Sequence, residues 1–372
     1  MLLSSNESKF VKIGGHDYLY FGGTNYLGLA HREELLAVLQ SCFNDFGFSS
    51  GASRLTSGEN DVLIALEHEL ADFCKSESAV SLPAGYMANQ AALEALDADV
   101  DVWIISTRAH SSICSAVKHS KARVIRTDLA DFYERQESLR QKFNIEPSER
   151  VGIFAEPIDA LTGKVQAIQK LFAQLQDCDY LVLDECQSIG VLGASGKGAL
   201  EEFSLPCQDN VVRTGTFSKA FGTYGGFVLA ASSIVYKLKA KSDGYRGSTS
   251  LPPPLCAASR EAIRLLRENP LDTVSKLKEN ISYLNALLAE SKVLSEALNW
   301  RSNYASQSTP IYYLLGFPDV SERRKKLLEH SIYVPSMANY FNDGKESGFR
   351  FTIQSGHEKD DLERLVKGLE DC

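Results

Sequence analysis

The residue with the most chemistry to offer is Lys219, set in Thr214-Gly215-Thr216-Phe217-Ser218-Lys219-Ala220-Phe221-Gly222-Thr223-Tyr224-Gly225-Gly226. An apolar strand candidate, Val211-Val212, leads into this stretch, and a second, Gly226 to Ala230, leaves it. Glycines let a backbone turn tightly and approach a ligand closely. A lysine on such a turn can lose its water, which lowers its pKa and yields a nucleophilic amine. That layout suits a lysine that forms a Schiff base with pyridoxal 5'-phosphate (PLP). A solvated lysine in a Gly-rich loop is the alternative, and the motif by itself leaves both open.

Other polar residues sit where apolar runs end. Pro83-Ala84-Gly85-Tyr86-Met87-Ala88-Asn89-Gln90 follows Ser78-Ala79-Val80-Ser81 and opens a helical pattern. Free N–H groups at a helix start beside a glycine suit a phosphate. His110 follows Val102-Trp103-Ile104-Ile105, where an imidazole can lie against an aromatic ring. Asp184 ends Tyr180-Leu181-Val182-Leu183, a poor place for packing but a good one for holding a pyridinium N–H. Thr216, three residues before Lys219, offers a hydroxyl to a phosphate. Each has a plainer interpretation: a strand-to-helix turn, a half-buried histidine, a capping aspartate. As an ordered set they point to one PLP site.

These residues need elements to position them. From 77 to 230, short apolar strands alternate with helices; Arg123-Val124-Ile125, Val151-Gly152-Ile153-Phe154 and Phe227-Val228-Leu229 complete the strand candidates. The helical stretches include Tyr86 to Leu96 and Ile168 to Leu175. This alternation predicts a mainly parallel sheet covered on both faces, with its ligand beyond the carboxyl ends of the strands. Before it, Phe10-Val11-Lys12-Ile13 and Tyr18-Leu19-Tyr20-Phe21 flank Gly14-Gly15, a hairpin signal. Helices are expected at Glu33 to Phe43 and Asp61 to Cys74, the latter with Leu63, Leu66 and Leu70 on one face. After Ser248-Thr249-Ser250-Leu251-Pro252-Pro253-Pro254, long helices are expected at Leu255 to Arg267 and Val274 to Ser291. The expected division is an N-terminal segment over 1–40, a large PLP-binding domain over 41–255 and a small α/β C-terminal domain over 256–372.

Composition narrows the class. The 372 residues are 44% apolar and 23% charged, ordinary for a globular enzyme. No apolar run has membrane-spanning length, and Met1 to Lys9 lacks a signal-peptide core. A net charge of -9 argues against nucleic-acid binding. The eight cysteines form no C-x-x-C pair, and the seven histidines no H-E-x-x-H pattern. Reduced thiols, a cytoplasmic location and no metal site are expected.

Taken together, the motifs resemble those of the α-oxoamine synthases, fold-type-I PLP enzymes that include 8-amino-7-oxononanoate synthase. The likeness rests on Asn25-Tyr26-Leu27-Gly28-Leu29, Gly51-Ala52-Ser53-Arg54-Leu55 with Gly58, and Gly85-Tyr86-Met87-Ala88-Asn89. It continues through Asp184-Glu185, Thr216 to Gly222, Ser248 to Pro253, and Phe349-Arg350-Phe351-Thr352 with His357. The resemblance implies a homodimer with active sites at the subunit interface. It assigns Lys219 to the cofactor and to the Cα proton, Asp184 to the ring nitrogen, and His110 to stacking on the ring. Gly85, Tyr86 and Thr216 would hold the phosphate, with Thr249 reaching across from the neighbouring subunit. Arg350 would take the substrate carboxylate, and Asn25 would lie at the substrate. The implied reaction joins an amino acid to an acyl-CoA or acyl-carrier thioester with loss of CO2, in the manner of biotin synthesis.

The chain also departs from that pattern. Where the family carries a histidine after Asp-Glu-Ala, this chain reads Asp184-Glu185-Cys186-Gln187; the resemblance implies that Gln187 would face the cofactor's phenolic oxygen, to which it can donate an N–H but bring no charge. After Glu156, Ala160-Leu161-Thr162-Gly163 replaces Ser-Met-Asp-Gly, removing a hydroxyl. Phe341 falls where a substrate-contacting threonine is expected. A PLP aminotransferase or aldolase on the same fold is the alternative function, and a non-catalytic PLP-binding relative is another.

Overall fold

A computed structural model of the chain describes residues 3–129, 138–292, 294, 307–315, 319–335 and 348–371. They divide into two compact units. One comprises Met1–His31, Asp159–Val165 and Asn269–Cys372; the other comprises Arg32–Ile158 and Gln166–Glu268.

The first unit opens with three antiparallel strands, β1 (Ser5–Glu7), β2 (Phe10–Ile13) and β3 (His16–Tyr20). Gly14 and Gly15 make the turn between β2 and β3 with φ of 58° and 86°. Two successive positive φ values are what a two-residue hairpin turn needs, and glycine supplies them without a Cβ clash. The hairpin therefore lies where Gly14-Gly15 predicts it, with its second strand two residues earlier than expected.

The second unit begins with α1 (Glu33–Phe46) and α2 (Asp61–Cys74). The limits of α2 follow from its caps. Asn60 accepts from the Leu63 N–H at 3.0 Å at the start, and Lys75 takes the left-handed conformation, φ 56°, at the end. Leu63, Leu66 and Leu70 are all buried, as their spacing predicts.

A seven-stranded sheet follows, formed by β4 (Ser78–Leu82), β5 (Val102–Ser106), β6 (Arg123–Thr127), β7 (Val151–Ala155), β8 (Tyr180–Asp184), β9 (Val211–Thr216) and β10 (Gly226–Ala230). Their order is β4-β10-β9-β8-β7-β5-β6. The neighbours from β9 through β6 are parallel, and only β10 runs against its partners β9 and β4. Side chains alternate between two apolar layers. Trp103 and Ile105 face α3 (Gly85–Leu96) and α4 (Ser111–Val117), whereas Val102 and Ile104 pack with Leu139, Ile168 and Leu171 on the other face. This is the doubly covered, mainly parallel α/β sheet predicted from the alternation.

In the first unit, β12 (Ile332–Tyr333) joins β3 in parallel, and β11 (Ile311–Leu315) pairs antiparallel with β13 (Gly348–Thr352). The helix Lys276–Glu290 supplies Asn280, whose buried amide donates to the carbonyls of Gln354, Ser355 and His357. One side chain thus satisfies three carbonyls of the segment after β13.

Several boundaries differ from expectation. The helix expected to run to Leu175 ends at Phe172. The one expected from Leu255 starts at Pro253, since proline suits a first helical turn. The helix expected from Val274 is preceded by a π turn at Leu271–Ser275 and is itself Lys276–Glu290. No helix among the described residues is long and apolar enough to cross a membrane.

Candidate active site

Strand register gathers the polar residues of the second unit at one edge of the large sheet. Asp184, the last residue of β8, lies opposite Thr214 on β9. Two residues on, Thr216 lies opposite Gly226, which in turn lies opposite Leu82 at the end of β4. The carboxyl ends of β4, β8 and β9 therefore meet beside the start of β10. Ligands bind at such ends in open parallel sheets.

Lys219 is held on a braced turn between β9 and β10. The Phe217 N–H donates to Gly225 O at 2.9 Å, Gly222 N to Lys219 O at 3.0 Å, and Thr223 N to Phe217 O at 3.0 Å. Beneath it Phe217, Phe221 and Phe227 form a buried aromatic trio with centroid separations of 4.9 to 6.2 Å. This packing fixes the backbone while the Lys219 side chain stays half-buried and Ser218 exposed. Thr216 accepts from the Ser218 N–H at 3.1 Å and donates its hydroxyl to Gly225 O at 2.8 Å. A phosphate at Thr216 requires that hydroxyl to exchange its Gly225 bond.

The helix α3 starts directly after β4, and no side chain caps it. Gly85 is its first residue. A Cβ there would sit 2.8 Å from Thr216 Cβ, closer than atoms tolerate. The glycine thus lets a helix start, with its free N–H groups, close on the Thr216 turn. Tyr86 is exposed, its hydroxyl donating to Ser111 O at 3.3 Å and its ring edge-on to His110 at 6.5 Å.

Asp184 is buried, and both carboxylate oxygens are engaged. Cys186 N donates to Oδ1 at 3.0 Å, and Asn89 Nδ2 donates to Oδ2 at 2.7 Å. His110 precedes α4, its backbone N–H bound to Glu156 Oε2 at 3.1 Å and its Nδ1 accepting from Ser112 N at 3.3 Å. Removal of water around the ring, the largest effect, lowers the His110 pKa; Asp184 opposes this and Lys219 adds to it. The imidazole is thereby kept neutral at pH 7. Burial, with Asp184 next in weight, pushes the Cys186 thiol well above its ordinary range, so it stays a thiol. Gln187 is half-buried one position further on.

Thr249 is exposed and forms an antiparallel bridge with Ser53, while Ser250 N donates to Ala52 O at 3.1 Å. Arg54, in the same loop, is buried against Glu67, reaches Glu59 at 2.5 Å, and lies over the Tyr245 ring. Glu67 in turn accepts from the N–H and hydroxyl of Ser81.

Arg350 and Asn25 belong to the first unit. Arg350, on β13 opposite Tyr313, donates from Nε and Nη2 to Ala160 O at 3.2 and 2.8 Å. Asp159 closes the turn that presents this carbonyl by accepting from Leu161 N and Thr162 N at 3.1 and 2.8 Å. The backbone of Ala160 therefore positions Arg350, a role no missing hydroxyl affects. Asn25 Oδ1 accepts from Ala30 N at 3.2 Å. Phe341 lies outside the described residues.

The second unit's residues suit PLP on their own geometry. An uncapped helix start and a hydroxyl turn await an anion, a buried carboxylate ends β8, and a half-exposed amine stands on the next strand's turn. Two residues of this cluster escaped sequence reasoning, Asn89 and Ser112. Their signal was a polar side chain among the buried small and apolar residues of α3 and α4.

Comparison with known proteins agrees. The aminotransferase class I and II family model matches residues 16–369. The 8-amino-7-oxononanoate synthase of Lysinibacillus sphaericus is 29% identical over 371 residues, 98% of this chain and 91% of that protein. Among solved structures, serine palmitoyltransferase from S. paucimobilis with PLP bound superposes with TM-score 0.86 at 21% identity, covering 100% of this chain and 91% of that one. The 8-amino-7-oxononanoate synthase of Francisella tularensis superposes with TM-score 0.76 at 23% identity, covering 95% and 97%. The chain therefore belongs to the aminotransferase class I and II family and is, within it, a PLP-dependent transferase of the α-oxoamine synthase type.

Proposed function

We propose that this enzyme condenses an amino acid with an acyl thioester, on CoA or a carrier protein, releasing the thiol and CO2 as 8-amino-7-oxononanoate synthase does. The observation that carries the proposal is the buried Asp184 carboxylate at the end of β8, beside the turn bearing the Lys219 amine. When bound, PLP supplies an electron sink for the carbanion at the amino acid's Cα.

The chain's own residues do the rest. Lys219 holds the cofactor through its amine and, once freed, takes the Cα proton on Nζ. Asp184 keeps a proton on the ring nitrogen. Neutral His110 lies against the ring, and Gln187 donates a neutral N–H to the phenolic oxygen. Gly85, Tyr86 and Thr216 bind the phosphate, with Thr249 contributed by a second copy in a homodimer. Arg350 grips the substrate carboxylate with its planar fork, and Asn25 helps to place the amino acid. The Cα carbon then attacks the thioester carbonyl and the C–S bond breaks, the thiolate taking a proton from solvent; the carboxylate departs as CO2, and Lys219 Nζ returns its proton to Cα. A cytoplasmic location fits substrates of this kind.

Thiol and CO2 release distinguish this chemistry from its rivals. Purified holoenzyme given a panel of amino acids with acyl-CoA thioesters should release free thiol and CO2 in equal amounts, and only when both substrates are present. Amino-group transfer to a keto acid without thiol release would overturn the proposal in favour of an aminotransferase.

A further inference from the structure

We infer that Asn89 is a positioning residue that ties Asp184 to His110: its amide orients the Asp184 carboxylate and, through Ser112, holds the proton of neutral His110 on Nε2. The inference rests on the proposed roles of Asp184 and His110 at the cofactor ring.

Asn89 is 1% exposed on α3, and its amide is filled on every side that counts. Oδ1 accepts from Thr214 Oγ1 at 2.5 Å; Nδ2 donates to Asp184 Oδ2 at 2.7 Å and to Ser112 Oγ at 2.8 Å. Chemistry dictates this orientation. A carboxylate only accepts, so the NH2 must face Asp184, and the Thr214 hydroxyl must then donate to the amide oxygen. The flipped amide would set oxygen against oxygen in a buried place. Ser112, also 1% exposed, receives the second Asn89 N–H on its oxygen. Its own hydrogen is then free for His110 Nδ1, 2.7 Å away. The Ser112 backbone N–H points at the same nitrogen from 3.3 Å. A nitrogen facing two donors carries no proton, so the neutral ring carries its hydrogen on Nε2. The order of donation is fixed along the line from Thr214 to Asn89 to Ser112 to His110, with Asp184 as a branch. Asn89 thereby couples the group proposed to hold the ring nitrogen to the group proposed to cover the ring face.

Two readouts test this without relying on turnover. Long-range proton–nitrogen spectra of the 15N-labelled holoenzyme, recorded at a pH where His110 is neutral, report its tautomer, with His110→Gln identifying the signals. Equilibrium titration of the apoenzyme reports the PLP Kd. In the wild type, Nδ1 should show the shift of a proton-free acceptor. Ser112→Ala should move the His110 nitrogens toward a mixed tautomer and leave the PLP Kd within about twofold. Asn89→Ala should move the same nitrogens and also raise the PLP Kd about tenfold, the scale of a lost hydrogen bond to a charged group. A purely structural role for Asn89 would lower stability without shifting the His110 nitrogens. A wild-type signal with the proton on Nδ1, or an Asn89→Ala protein with wild-type nitrogens and Kd, would overturn the inference. Should Asn89→Ala fail to fold, the wild-type and Ser112→Ala spectra still decide it. Asp184→Asn separates the two levels. An unchanged PLP Kd there would refute the role of Asp184 while the His110 spectra still judge the relay.

Discussion

Asp184 and Arg350 make opposite kinds of contribution at the scale of the residue. In the proposed reaction Asp184 acts through its charge, because a carboxylate keeps the ring nitrogen protonated and an amide does not. Asparagine in its place keeps one of its two hydrogen bonds, the oxygen still accepting from Asn89, and turns its NH2 toward the Cys186 N–H. Asp184→Asn should lower kcat on the order of a hundredfold, the scale of a lost preorganised electrostatic group, and lower the melting temperature by only a few degrees, the scale of one lost hydrogen bond. Wild-type kcat in that variant would remove Asp184 from the ring. Arg350, in the same proposal, acts through geometry, its fork held by the carbonyl of Ala160. Arg350→Ala should raise the KM for the amino acid about tenfold while PLP affinity stays at the wild-type value. An unchanged KM would point to another cation. Arg54 is a weak candidate for that part, since Glu67 and Glu59 already occupy its guanidinium.

Elements decide whether the polar groups of the second unit meet. The approach of α3 to the Thr216 turn depends on Gly85, where a Cβ would lie 2.8 Å from Thr216 Cβ and 3.1 Å from its Oγ1. Gly85→Ala must push the helix start away from β9, so PLP affinity should fall roughly tenfold with turnover falling alongside. A variant that binds PLP at wild-type Kd would show that the helix start does not carry the phosphate. Much of this arrangement was legible in the sequence. Local signals gave the Gly14-Gly15 hairpin, the Asn60-capped α2 and all seven strands of the large sheet, because each depends on residues close in the chain. The reversed direction of β10 was not legible, since a five-residue apolar run reads the same both ways. Nor was the pairing of β3 with β12, whose partner lies more than 300 residues on. Asn89 was visible as a letter in a motif. Its purpose required knowing that β8 and β9 bring Asp184 and Thr214 to either side of it.

At the scale of the whole molecule, acid stability turns on a residue to which no part in the cofactor chemistry is assigned. His357 lies 1% exposed in the first unit, its ring 4.5 Å from that of Phe21. Nδ1 accepts from Gln354 N at 3.2 Å, and Nε2 lies 3.2 Å from Tyr20 O, so the neutral ring is satisfied on both sides. Burial, the dominant effect, lowers its pKa to about 4, against raising influences from Asp361 and Tyr20 O and a lowering one from Lys9. The unfolded chain binds a proton at this side chain near pH 6.5, and the folded chain does so only near pH 4. Between those values the unfolded state holds more protons, so stability rises with pH across the window and is lost as pH falls through it. The full effect corresponds to about 3 kcal/mol, an order-of-magnitude figure for one buried imidazole. Thermal melts of the holoenzyme from pH 7 to pH 4 should show a steady loss of melting temperature in the wild type. His357→Gln, which cannot gain a proton, should start lower at pH 7 but fall less over the same range. Parallel slopes in the two proteins would mean that other groups set the acid limit.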